Sequence, residues 1–156
     1  MSANVQPITL VRDAAPVAAA KRPQARIVAR VDDLSPEMKA DLAALRMAAL
    51  SCRSAARLDV FEACASLSLE PDPSVSTEAL IRALPQAFGL RPVLFRPGNP
   101  AVSFDEAWLL RLIDAQRMGR TDDAAFLLTS RVAASMRRHV GFLAGAIARP
   151  RRKGRR

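Results

Sequence analysis

An all-α fold is predicted for this 156-residue chain, on three observations. Apolar residues recur at helical spacing and are mostly Leu, Ala, Val and Met, while aromatics make up only 4% and Tyr is absent; a sheet would draw more on Val, Ile, Thr and Tyr. Helix-start signals precede the periodic segments at Ser35-Pro36-Glu37, Ser76-Thr77, Ser103-Phe104-Asp105-Glu106 and Thr121-Asp122-Asp123. Glycine or proline closes them at Pro71, Gly89, Gly119 and Pro150. The length fits one domain. The expected organisation is a small bundle of about four helices over 34–149, with a Pro-rich loop between the second and third. A disordered leader is expected over 1–33 and a basic tail over 150–156.

The leader is interrupted by Pro7, Pro16 and Pro23 and is rich in Ala. Its end, Ala25 to Val31, reads as a short extended piece that pairs or docks. The first helix opens at Ser35, with Pro36 at its first position and Glu37 opposing the dipole, and its pattern runs to about Ala65. Met38, Leu42, Leu45, Ala49, Cys52 and Ala56 form one apolar stripe, and Ala43, Met47, Leu50 and Phe61 form a second. Two stripes make this the expected central helix, with a break near Ser51-Cys52-Arg53-Ser54. The second helix runs from Ser76 or Thr77 to Phe88, and Pro85 should kink or end it. Residues 89–102 hold three prolines and two glycines around Val93-Leu94-Phe95, an apolar tip that packs down on the helices. Ser103 and Glu106 form a capping box for the third helix, which ends at Met118. The joint at Gly119 makes an αα-hairpin with a fourth helix that reaches Arg149. On that helix Ala125, Val132, Met136, Val140, Leu143 and Ile147 share one face. No repeat of solenoid period occurs.

Charge is segregated along the chain. Residues 1–130 carry 15 basic and 15 acidic side chains, while 131–156 carry eight Arg, one Lys and no carboxylate. Arg131, Arg138 and Arg149 fall on one side of the fourth helix, opposite its apolar face, with Phe142 beside them. Arg151, Arg152, Lys153, Arg155 and Arg156 extend that surface into the tail. Such a cluster suits sequence-independent phosphate contacts, although cations near a helix C-terminus also complement its dipole. Lys39, Arg46, Arg53 and Arg57 form a second basic stripe, read as the solvated strip between two buried faces. The 21 Arg against 3 Lys are read first as a GC-rich coding bias and second as bidentate anion binding.

Other chemistry is poorly supplied. His139 is the only histidine, at the edge of an apolar face, where a structural imidazole is expected. One His and two separated Cys make no zinc site. Asp105-Glu106 and Asp122-Asp123 occupy first helical turns, and adjacent positions diverge by about 100° on a helix, so neither is a carboxylate dyad. Phosphate-cradling glycine, zincin and nucleophile-elbow motifs are absent. A helix-turn-helix reader is disfavoured, because the candidate recognition helix opens on Asp122-Asp123 and would repel phosphate. No segment reads as a signal peptide or a membrane span, and two reduced thiols suit the cytoplasm. No catalytic residue, metal or cofactor is assigned. The expected function is a non-enzymatic, small helical interaction or regulatory protein with a protein partner or homodimer. The alternative is an accessory nucleic-acid-binding protein using the C-terminal Arg cluster. A membrane partner is not expected, because the fourth helix needs its apolar face for the core.

Overall fold

A computed structural model describes residues 25–55, 57–65 and 72–149 of the chain. In order, these form β1 (Ile27–Arg30), α1 (Pro36–Ser51), α2 (Val60–Ala65), α3 (Pro73–Phe88), β2 (Ala101–Ser103), α4 (Phe104–Arg117), α5 (Thr121–Arg131) and α6 (Arg137–Ala148). The chain is mostly helical, as expected. In place of about four helices, the described residues contain six and one two-stranded sheet.

The end of the expected leader belongs to the fold. Residues 27–33 form β1 and a 3-10 turn, because the chain there finds backbone partners far along the sequence. β1 pairs antiparallel with β2, with Ala29 opposite Val102 and Arg30 opposite Ala101. The Phe104 amide donates to Arg26 O at 2.8 Å and the Val31 amide to Pro100 O at 2.9 Å. Residues 1–24 and the tail, 150–156, lie outside the described residues.

In α1 the Ser35 hydroxyl accepts from the Met38 amide, with Pro36 at the first position. Leu42, Leu45 and Ala48 are buried. The second expected stripe is not a buried face: Ala43, Met47, Leu50 and Phe61 are exposed. The central helices are instead α3 and α4, since α3 packs on α1, α2 and α6 while α4 packs on α1, α5 and α6. α1 stops at Ser51 and passes into a 3-10 turn over Cys52–Ser54, at the place where a break is expected. Cys52 and Cys64 are therefore on separate elements, both free and partly buried.

α3 starts earlier than its Ser76-Thr77 signal. Asp72 is the N-cap, accepting from the Ser74 amide, while the buried Ser76 and Thr77 hydroxyls donate back to Asp72 O and Pro73 O. The helix also passes through Pro85 and ends at Phe88. Pro85 deprives only the Ile81 carbonyl of its amide, with one turn of helix left to disturb. Gly89, at φ 70°, supplies the left-handed residue that closes it. Residues 89–100 then run without helix or strand, and Leu94 packs against the core.

The expected capping box opens α4: the Glu106 amide donates to the Ser103 hydroxyl and the Ser103 amide donates to the Glu106 carboxylate. The expected fourth helix is two helices. α5 ends at Arg131, Val132 and Ala133 are extended, and α6 starts at Arg137. Side chains take the carbonyls at the break, with the Ser130 hydroxyl donating to Leu127 O and Arg137 Nε to Val132 O; such bonds compete with helix continuation. Ala125, expected on the buried face, is exposed, whereas Val132, Val140, Leu143 and Ile147 are buried.

A candidate anion-binding cleft

Arg46 is the first basic residue to depart from its expected place. It is 3% exposed and faces Glu106, which is fully buried. Arg46 Nε and Nη2 donate to the two carboxylate oxygens at 2.8 and 3.0 Å. Nη1 and Nη2 also donate to Asn99 O and Ala101 O, both at 2.6 Å. Glu106 in turn accepts from the Phe95 and Ser103 amides. One buried ion pair thus satisfies two carbonyls and two amides of the segment joining α3 to α4. Burying a charge pair is tolerated only when such bonds complete it. The sequence gives Arg46 the periodicity of a solvated strip; the partner that draws it inward lies 60 residues away.

That ion pair backs a cleft of about 510 Å³ between α1, α3 and the 89–100 segment. Six arginines line it: Arg46, Arg53, Arg57, Arg82, Arg91 and Arg96. The remaining described lining is Ala, Leu, Ile, Pro, Phe and Cys52, with no carboxylate, amide or hydroxyl side chain among the described residues. Arg53, Arg57, Arg91 and Arg96 are exposed and form no ion pair with a described residue. Glu78, one turn before Arg82 on α3, lies near enough to act on Cys52, whose thiol is held above its ordinary range by burial first and Glu78 second, against Arg82. The ends of α1 and α3 also face this region, and two helix C-termini bring about one unit of negative charge together. Four guanidiniums without a partner among the described residues exceed that supply, so the described part of the cleft is strongly cationic.

Of the second basic stripe, Arg46, Arg53 and Arg57 meet in this cleft and Lys39 does not line it. The stripe does not include Arg82, Arg91 or Arg96. For Arg91 and Arg96 the signal is the doubled Arg-Pro of Arg91-Pro92 and Arg96-Pro97, which places two cations in a stiff segment; Arg82 carries no such signal.

The C-terminal set is dispersed. The face expected for Arg131, Arg138 and Arg149 requires one continuous helix, and the break at 132–136 removes it. Arg131 donates to Asp105 and is 18% exposed at its side chain. Its guanidinium lies 4.3 Å from the Phe88 ring centre, 5.1 Å from Phe104 and 5.8 Å from Trp108, joining α5 to α3 and α4. Arg131→Ala is expected to cost about 2–3 kcal/mol, from the part-buried ion pair and ring contacts together. Urea unfolding measures this, and an unchanged midpoint would contradict the structural role. Arg138 and Arg149 are exposed at the two ends of α6. Arg138 is in the first turn, where the dipole opposes a cation rather than favouring it. Arg151, Arg152, Lys153, Arg155 and Arg156 lie outside the described residues.

His139 packs edge-on to Phe61, with ring centres 4.4 Å apart, and Cys64 Sγ donates to the His139 carbonyl at 3.6 Å. Its Nδ1 is buried without a hydrogen-bond partner among the described residues. Burial raises the Cys64 thiol, which disfavours a nucleophilic thiolate. Asp59 caps α2 through the Phe61 and Glu62 amides. The Gln86 side-chain bond is the main cause holding its carboxyl below the ordinary 3.8, with those amides and His139 adding to it. A depressed folded pKa stabilises fully above the unfolded value and less as pH falls through the folded one. Asp59→Asn is thus expected to be less stable than the parent at neutral pH, the gap narrowing below about pH 4. Thermal melts across that range check it, and a pH-independent gap would contradict it.

Comparison with known proteins found no matching family model, curated protein or solved structure.

Proposed function

We propose that this is a small, non-enzymatic interaction protein that holds an anionic, phosphate-bearing partner in the arginine cleft. The supporting observation is the convergence on one concavity of six arginines, four of them exposed and without an ion-pair partner among the described residues, with no carboxylate in the described lining. Like charges gathered this way repel one another and are relieved by a multivalent anion. Arginine presents several fixed donors to such an anion. The described lining favours binding over catalysis, since among the described residues its one titratable group other than arginine is the Cys52 thiol, raised by burial. The nucleic-acid reading keeps its chemistry here but changes place: among the described residues the cleft, rather than the face of α5 and α6, concentrates the cations.

Retention on heparin over a salt gradient tests this. The full chain is expected to elute at clearly higher salt than Arg53→Glu/Arg57→Glu, with the same circular dichroism. A chain ending at Arg149 reports the tail's share. Co-elution of the cleft variant with the parent would overturn the assignment, whatever the truncation does. The expected homodimer is tested separately by mass in solution.

A further inference from the structure

Resting on the anionic-partner reading above, we infer that the ligand of the cleft is a nucleoside polyphosphate. Three properties of the lining narrow the class. The first is size: about 510 Å³ falls among pockets that enclose small molecules, roughly 300–1,000 Å³. The second is charge. Arg53, Arg57, Arg91 and Arg96 lack carboxylate partners among the described residues, which matches several negative charges clustered on one small ligand. Inorganic phosphate alone would leave most of them unmatched.

The third is the apolar half of the wall. Leu50, Ile81, Pro85, Pro92, Leu94 and Phe95 line the same space as the arginines. A ligand made only of phosphate would cover those surfaces to no benefit. A base and sugar would pack on them, as bases do on apolar and aromatic side chains beside cationic grooves. Arg46 takes no direct part. Its donors are committed to Glu106, Asn99 and Ala101, and it positions the Phe95 segment.

The lining also sets what the cleft ignores. Among its described lining residues there is no amide, hydroxyl or carboxylate side chain; the arginines, which could otherwise bond guanine O6 and N7, are taken up by the phosphates, so the four bases bind alike. The described residues offer no hard oxygen side chain to Mg²⁺. The metal therefore competes with the arginines for the phosphates, and excess Mg²⁺ weakens binding.

Calorimetric titration of the full chain decides this, using metal-free ATP, GTP, CTP, AMP, inorganic tripolyphosphate and a short single-stranded oligonucleotide. The three triphosphates are expected within about threefold of one another and about tenfold tighter than AMP or tripolyphosphate. Excess Mg²⁺ lowers that affinity, and Arg91→Glu/Arg96→Glu lowers it about a hundredfold. Arg53→Glu/Arg57→Glu does the same from the other wall. Tripolyphosphate binding as tightly as ATP would overturn the nucleoside part. Oligonucleotide binding without triphosphate binding, with cleft-dependent heparin retention intact, overturns this inference and leaves the anionic-partner reading standing. Loss of both triphosphate binding and cleft-dependent retention overturns both.

Discussion

Glu106→Ala is expected to lower stability by about 3–5 kcal/mol, the cost of leaving a buried charge without its partner. That corresponds to a fall of roughly 10–20 °C in Tm for a domain of this size. The size follows from the geometry. Glu106 is fully buried, and its removal strands Arg46 together with the Phe95 and Ser103 amides. Many buried ion pairs can be exchanged for apolar pairs at little cost. Here Arg46→Met/Glu106→Leu is expected to remain as unstable as the single variants, because Asn99 O, Ala101 O and the two amides still lose their partners. An unsatisfied buried backbone group costs about 1–3 kcal/mol. Chemical unfolding of the parent, Arg46→Met, Glu106→Leu and the double variant measures the cycle; recovery of parental stability in the double variant would contradict the backbone role. Since the same bonds fix the segment carrying Arg91 and Arg96, Glu106→Ala is also expected to weaken anion binding below its melting range.

Arg53→Ala, Arg91→Ala and Arg96→Ala combined are expected to lose about a hundredfold in affinity for a polyanion while unfolding no earlier than the parent. These side chains are exposed and make no ion pair with a described residue. They therefore contribute repulsion to the free chain and little else. Surface changes of this kind stay within about 0.5 kcal/mol, and relief of repulsion gives that small effect a stabilising sign. Affinity lost at unchanged stability separates a binding site from a structural one. A parallel loss of stability would mean the arginines hold the fold.

Helix content, the Ser103–Glu106 box and the ends at Ser51 and Gly89 were legible because each depends on residues within one or two turns. The break at 132–136 was not: Ala133, Ala134 and Met136 are sound helix formers, and what ends α5 is a set of side chain to carbonyl bonds plus packing on different neighbours. The charge gradient across 121–149 misled for the same reason. Arg131 resembled a surface cation until Asp105 and three aromatic rings, all more than one turn away in sequence, closed around it. The cleft was half visible. Arg46, Arg53 and Arg57 stood on one stripe, but Arg82, Arg91 and Arg96 reach it only through the packing of α1 on α3. Glu106, which decides that Arg46 turns inward, showed in the sequence only as a capping residue.

Alkylation of the two thiols by iodoacetamide tests the anion-binding cleft most directly. Cys52 lines it and Cys64 does not, both are partly buried, and burial raises both thiols. Saturating ATP in the absence of metal is expected to slow Cys52 alkylation severalfold, with the protection fading as salt rises, while Cys64 reacts at its original rate. Equal rates at both thiols with and without a polyanion, at low salt, would contradict an anion-binding site in this cleft.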